Sequence, residues 1–216
     1  MISHLRPLLL PLLLVATPAC AQPAIEVVSR TALASPAAPA SATHDLALTL
    51  AVLEDSGWTG EAAAAAAREA AHILAQCGVA PGRIELVRIA APPPFRDFAT
   101  ARSRALARAV PLPRPAVYFV ADTRQRPAFD AEAIGRGNSR ARPELADTVW
   151  ITRATRDPGI ALAHELAHVL MDSGEHADAP GNLMRDETAP ENTRLDPAQC
   201  ARLRDTAERN GLLRRR

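Results

Sequence analysis

The 216-residue sequence contains no lysine, a single tyrosine and only three cysteines. All 25 basic residues are therefore arginines, and they stand against 24 acidic residues. The net charge is close to zero, which argues against a nucleic-acid-binding surface. Only 3% of the residues are aromatic, but the apolar fraction of 48% is enough for a hydrophobic core. The composition indicates an ordinary globular domain whose core consists mainly of aliphatic side chains.

The chain also lacks an apolar run long enough to span a bilayer, which takes about 20 residues in a helix. Its most apolar segment, Leu8–Val15, follows the basic residue Arg6 and precedes the small residues Ala19-Cys-Ala21. This is the pattern of a secretory signal peptide over residues 1–21, so we expect a periplasmic or extracellular protein with no transmembrane segment. Acylation at Cys20, giving a lipid-anchored protein, is an alternative that the proline two residues earlier disfavours.

Residues 22–43 are rich in alanine, proline and serine, which predicts a flexible lead, and the folded domain is expected over 44–216. Short motifs outside the predicted elements receive plain interpretations: Gly135-Arg-Gly137 as a turn and Arg214–Arg216 as a solvated tail. Alternation and capping signals predict strands at 46–53, 83–90, 116–121 and 147–152, and helices at 59–76, 95–109, 157–174 and 196–211. This order predicts an α+β (or α/β) fold, a mixed twisted sheet with helices packed on it.

One of the predicted helices carries the motif His164-Glu165-Leu-Ala-His168. Asp157 and Pro158 favour its start as N-cap and first helical residue, and Gly174 favours its end. Residues four apart lie on the same face of a helix, so both imidazoles can bind one Zn²⁺. Glu165, between them in sequence, can accept a proton from a zinc-activated water. The alternative is that the two histidines are incidental to an ordinary helix.

A catalytic zinc usually has three protein ligands, so the pair of histidines needs a third partner. His176 is favoured, because it lies beyond Gly174, where the chain can turn back toward the metal. Asp172, one helical turn after His168, and Asp178 are the alternatives, since a carboxylate oxygen also serves zinc. The residue types alone leave this choice open.

The segment resembles the metzincin clan of zinc peptidases, and its matrixin-like branch most closely. The family pattern is His-Glu-x-x-His-x-x-Gly-x-x-His followed by a Met turn. The resemblance implies a long N-terminal helix, a zinc-binding active-site helix and a C-terminal helix. It implies His164, His168 and His176 as ligands, Glu165 as the general base and Met184 as the Met-turn residue. The gap between the second and third histidines is two residues longer than in the family, which we interpret as an insertion in the turn.

Two cysteines, Cys77 and Cys200, remain after removal of the signal peptide. An even pair in an exported protein suggests one disulfide, which would tie the last helix to the end of the first long one. Free cysteines are an alternative. A further one is that Cys77-Gly-Val-Ala-Pro81, which faintly resembles the cysteine switch of matrixin pro-segments, places a thiolate on the metal. Its position inside the predicted domain disfavours that interpretation.

These observations predict a secreted or periplasmic zinc-dependent endopeptidase that acts on protein or peptide substrates. Two other functions stay open: a catalytically inactive zinc-binding protein of the same fold, and an envelope-anchored interaction protein. The physiological substrate and the oligomeric state do not follow from the sequence.

Overall fold

The computed structural model describes residues 24–124 and 141–216, together with the backbone of 133–136. Strands within these ranges form one mixed sheet in the order β1-β3-β2-β4-β6-β5, and β7 pairs with β2 beside this path. β3, β2, β4 and β6 are parallel to one another, whereas β1, β5 and β7 are antiparallel to their neighbours. Their bounds are β1 Glu26–Leu33, β2 His44–Leu53, β3 Val79–Ala90, β4 Ala116–Phe119, β5 Ala133–Arg136, β6 Thr148–Ile151 and β7 Leu213–Arg215.

Helices cover both faces of this sheet, which confirms the predicted α+β fold. The strand β2 shows why, since its successive side chains point to opposite faces. The α-helices of the described residues are α1 Gly60–Leu74, α2 Thr100–Ala109, α3 Pro158–Met171 and α4 Pro197–Arg209. Leu48 and Leu50 join a core cluster with α1, α3 and α4, whereas Ala51 and Leu53 join a second cluster with α2. β2 therefore lies at the centre of the molecule, buried on both sides.

The first strand corrects the expectation of a flexible lead over residues 22–43. Glu26–Leu33 forms β1 and pairs antiparallel with β3 through most of its length. This stretch holds two valines and a threonine, which favour strands, whereas the alanines and prolines concentrate after Leu33. The overall composition of residues 22–43 therefore gave no indication of this strand. The folded unit therefore includes an edge strand that precedes His44.

Three further expectations differ from the structure. Gly135 and Arg136, interpreted as a turn, lie in β5, while Gly137 falls outside the described residues. Arg214 and Arg215, interpreted as a solvated tail, form β7 with exposed side chains. α2 begins at Thr100 and not at Phe95, because Pro93–Phe95 forms a separate 3-10 turn and Phe98 pairs with Thr123 in a β-bridge. In the two strands the neighbouring strand supplies hydrogen bonds that local sequence does not reveal.

The disulfide between Cys77 and Cys200 connects the end of the first helix to the start of the last. Cys77 closes a 3-10 turn that continues α1, and Cys200 lies in the first turn of α4. The Cys77 sulfur is thus in a covalent bond, which excludes a metal-bound thiolate in this state. Gln76 adds two hydrogen bonds beside it, donating to the carbonyl of Thr193 and accepting from the N–H of Leu195. The 3-10 turn that follows α1 is therefore joined to the start of α4 by the disulfide, and to the residues just before α4 by hydrogen bonds.

Within the described residues, no helix is both long and apolar enough to cross a membrane. The predicted leader over residues 1–21, including Cys20, lies outside the described residues.

Candidate metal centre

The helix α3 is buried on almost every side, which fits its composition. Leucine, isoleucine, valine and alanine fill most of its length, and of its 14 residues 11 are buried. A helix that is apolar all round belongs in the interior of a protein. Pro158 occupies the first turn as expected, and Asp157 stands at the N-cap position, but the Asp157 side chain makes no capping hydrogen bond. Tertiary packing, more than its cap, therefore stabilises this helix.

α3 ends earlier than Gly174 predicts. Its last residue is Met171, and Asp172 follows in the left-handed conformation with φ 47°. The N–H of Ser173 donates to the carbonyl of His168, and that of Asp172 to the carbonyl of Val169, which is the Schellman arrangement. Aspartate tolerates the left-handed region better than most residues, so no glycine is required there. The reversal begins immediately after the helix and brings the following loop back over the second histidine.

That loop carries His176 to the two helical histidines. The Nε2 atom of His168 lies 3.0 Å from Nε2 of His164 and 3.3 Å from Nε2 of His176. One ligand atom from each ring lies within 4.8 Å of the other two. His164 is buried, His168 is partly exposed and His176 is exposed, so the group opens to solvent on one side. Three imidazole nitrogens converge on a single small volume.

The other nitrogen of each ring has a partner of its own. Nδ1 of His164 donates to the carbonyl of Leu183 at 2.7 Å, and Nδ1 of His168 donates to the carbonyl of Ser173 at 2.7 Å. Nδ1 of His176 lies 3.4 Å from a carboxylate oxygen of Asp186. Because a carbonyl only accepts, the proton of a neutral ring stays on Nδ1, and the lone pair of Nε2 is left for a metal. Such outer partners fix both the tautomer and the ring orientation.

Electrostatics keep the two helical histidines uncharged. Burial lowers the pKa of His168 to about 4, and the adjacent His164 adds to this effect. Burial also lowers the pKa of His164, although its hydrogen bond to the Leu183 carbonyl acts in the opposite direction. An uncharged imidazole is the form that binds a metal ion. At neutral pH both rings are therefore in the ligating state.

The residues around Met184 hold the third histidine in place. The N–H of Ala177, next to His176, donates to the carbonyl of Met184 at 2.7 Å. The Met184 side chain is buried in the same core cluster as α3. Arg185 adds a second link by donating to the carbonyl of Asp178 at 2.8 Å. The loop after α3 and the turn around Met184 thus form one hydrogen-bonded unit.

The alternative third ligands do not join this group. In the part of the chain that the structure describes, the three histidines are the one set of potential ligands that lies close enough to hold a metal ion. The backbone of Asp172 ends α3 in the left-handed conformation, and Asp178 follows His176 in the loop after the helix. Glu165 lies on α3 directly after His164, and its side chain is partly exposed.

Several groups in this centre were not foreseen from the sequence. The carbonyls of Ser173 and Leu183 orient two of the rings, and backbone acceptors leave no residue-type signal. Asn182 is buried, and its side-chain oxygen accepts from the N–H of Met184 at 2.8 Å. Asn182 lies two residues before the predicted Met-turn residue Met184, but the motif gave no reason to assign it a role. Its side chain also exchanges two hydrogen bonds with Gln199 of α4.

No protein-family model matches the sequence, and no curated protein matches it either. Chains of solved structures similar to this one include metalloproteinase-II from Bacteroides fragilis, with 15% sequence identity and a TM-score of 0.48. That similarity covers 78% of this chain and 55% of the bacterial protein, so the present chain corresponds to about half of it. That protein is a metalloproteinase by its name. The group of three histidines is an observation on the present structure and does not depend on the similarity.

Proposed function

We propose that the protein is an exported zinc-dependent endopeptidase, with a peptidase domain over residues 44–216 extended by β1. The observation that carries this proposal is the convergence of three Nε2 atoms, from His164, His168 and His176. Glu165 follows His164 directly on the same helix. Among the described residues, no other group of histidine, cysteine, aspartate and glutamate side chains lies close enough together to hold a metal ion.

The donor set fits zinc. Two unprotonated Nε2 atoms that face one another at 3.0 Å repel through their lone pairs, and a cation between them converts that repulsion into attraction. Imidazole is a preferred zinc ligand, and three protein ligands leave one position of the tetrahedron open. The exposed side, where His176 lies, is where a substrate carbonyl could enter. A structural zinc site would instead be closed by a fourth protein ligand.

When bound, zinc supplies Lewis-acid chemistry, since it acidifies water and polarises a carbonyl oxygen. In this proposal Glu165 takes the proton of the attacking water and delivers it to the nitrogen of the leaving amine. The hydroxide adds to the peptide carbonyl carbon, and the C–N bond then breaks as the amine nitrogen takes up the proton, so one water is consumed for each bond cleaved. Met184 supports the site from the core and is not a ligand.

Export is part of the proposal. The predicted signal peptide over 1–21 and the Cys77–Cys200 disulfide are both typical of proteins outside the cytoplasm. Retention of an acylated Cys20 would add a lipid anchor without changing the metal centre. The disulfide supports an oxidising compartment, and fractionation of cells that express the wild type and Cys20→Ser would separate a free from an anchored protein.

The test is metal content combined with proteolysis on the purified mature protein. We expect one zinc per chain and cleavage of casein that a chelator abolishes. Glu165→Gln should keep the zinc and lower the cleavage rate by about 10²–10⁴-fold, the usual contribution of a general base. His176→Ala should lose most of the zinc. His72→Ala, which changes an exposed histidine on α1 outside the centre, is the matched control and should retain both properties.

The outcomes separate the candidate functions. Zinc binding without cleavage would indicate an inactive zinc-binding protein of this fold. Full zinc occupancy in His176→Ala would transfer the third ligand to Asp172 or Asp178. A wild-type protein without zinc would refute the proposal and leave the histidines incidental.

A further inference from the structure

Beyond the three histidines, the structure contains a polar connection between the metal centre and the C-terminal helix. We propose that Gln199 is a positioning residue for His164 and acts through the side chain of Asn182. This inference rests on the proposed zinc function, because it concerns the ring that would hold the metal. Gln199 lies in the first turn of α4, and Asn182 lies two residues before Met184.

The first step of the connection is a single peptide group, Leu183–Met184. Its carbonyl accepts from Nδ1 of His164 at 2.7 Å, and its N–H donates to Oδ1 of Asn182 at 2.8 Å. Because the peptide unit is planar and rigid, holding its N–H also fixes the direction of its carbonyl. The orientation of the His164 ring therefore depends on where Asn182 places its oxygen.

The second step fixes that oxygen. Asn182 donates from Nδ2 to Oε1 of Gln199 at 2.9 Å, and Gln199 donates from Nε2 to Oδ1 of Asn182 at 3.2 Å. This reciprocal pair specifies which end of the Asn182 amide is oxygen, since the flipped amide would place donor against donor and acceptor against acceptor. Asn182 is buried, so an unsatisfied or flipped amide would be costly there.

The third step anchors Gln199 itself. Its Oε1 also accepts from the N–H of Asp196 at 2.9 Å, while Oδ1 of Asp196 accepts from the N–H of Gln199 at 2.8 Å, forming a capping box. The adjacent Cys200 is bonded to Cys77, which ties this turn to α1. Gln199 thus belongs both to a helix cap and to the path toward His164, and the two roles can be separated experimentally.

Two variants separate them. Gln199→Glu keeps an oxygen for the Asp196 N–H, and glutamate is also a capping-box residue, so the cap survives. The carboxylate cannot donate to Oδ1 of Asn182, and whichever way the Asn182 amide turns, one of its hydrogen bonds is lost. Asp196→Ala does the converse, because it removes the cap but leaves the amide pair with its atoms intact.

The experiment measures zinc affinity by competition with a chelator, the visible absorption of the cobalt-substituted protein, and urea unfolding of the metal-free protein. We expect Gln199→Glu to weaken zinc binding about tenfold, the lower end of the effect of outer-shell residues, and to alter the cobalt spectrum. Its metal-free stability should also fall, because one hydrogen bond of the buried Asn182 amide is lost, so zinc affinity is the readout that separates it from Asp196→Ala. Asp196→Ala should lose stability but bind zinc within about twofold of the wild type.

Wild-type zinc affinity and an unchanged cobalt spectrum in Gln199→Glu would overturn this inference while leaving the proposed function intact. An equal loss of affinity in Asp196→Ala would also overturn it, because cap stability alone would then account for the effect. Absence of zinc from the wild type would refute the proposed function, and this inference with it.

Discussion

The disulfide offers the prediction whose magnitude follows most directly from the structure. Cys77 and Cys200 are 123 positions apart, so their bond closes a loop that contains β3 to β6 and both α2 and α3. A cross-link lowers the entropy of the unfolded chain in proportion to the logarithm of the loop length. For a loop of this length the chain-entropy relation gives about 5 kcal/mol at 25 °C, and measured losses for native disulfides are about 2–5 kcal/mol.

The measurement is urea unfolding of metal-free protein with and without a thiol reductant. Removing the metal first matters, because zinc bound to the native state would add stability of its own. We expect the wild type to lose about 2–5 kcal/mol in free energy of unfolding on reduction. Reduction keeps both sulfur atoms in their buried sites, so the loss is free of a cavity contribution.

The double variant Cys77→Ala/Cys200→Ala is the control. Both side chains are buried, at 1% and 8% exposure, so the alanines should lower stability slightly further than reduction does. The variant should not respond to reductant. If oxidised and reduced wild type differ by less than about 1 kcal/mol, the loop-closure reasoning is refuted. The core packing of α4 and the hydrogen bonds of Gln76 and Arg204 would then be sufficient to hold this region together.

Three other predictions concern the helices and the metal. Glu144 accepts from Arg104 and Arg108, and the hydrogen bond from Arg104 is the largest cause that lowers its pKa to about 2. The stability that the ionised Glu144 contributes is present above its usual pKa of 4.5 and is lost as the pH falls toward 2. Glu144→Gln should therefore be less stable than the wild type at pH 7 and equally stable near pH 2. A stability difference in urea unfolding that does not change with pH would contradict this. A Cβ added at Gly159 of α3 would overlap the side chain of Glu69 on α1. Gly159→Ala should therefore lower the free energy of unfolding by about 1–3 kcal/mol in chemical denaturation. Unchanged stability would show that the two helices can move apart. The zinc-loaded protein should melt at a higher temperature than the chelator-treated protein, and the difference should grow with the free zinc concentration of the loaded sample. Calorimetry that shows no difference would argue against a metal site in the native state.

The elements that the sequence predicted well are those stabilised by local interactions. Thr59 caps α1 by accepting from the N–H of Ala62, as its position before an alanine-rich run indicated. Asp196 and Pro197 begin α4 for a similar local reason. The elements that were missed, β1, β5 and β7, are antiparallel strands at the margins of the sheet. Their pairing comes from neighbours distant in sequence, which no local pattern reports.

The residues of the candidate site were likewise predictable only where local sequence determines their arrangement. The spacing of His164 and His168 put them on one face of a helix, because the helical repeat is a property of the backbone itself. The two cysteines left in the predicted mature chain suggested one disulfide, with free cysteines as an alternative, and the structure contains the disulfide. What only the tertiary structure decided is the path of the chain after Met171. The left-handed Asp172 and the link from Ala177 to Met184 bring His176 to the pair. Those contacts are made by backbone groups of residues that are apart in the sequence. Because every residue carries the same backbone groups, the sequence has no signal for these contacts, and only the folded structure shows them.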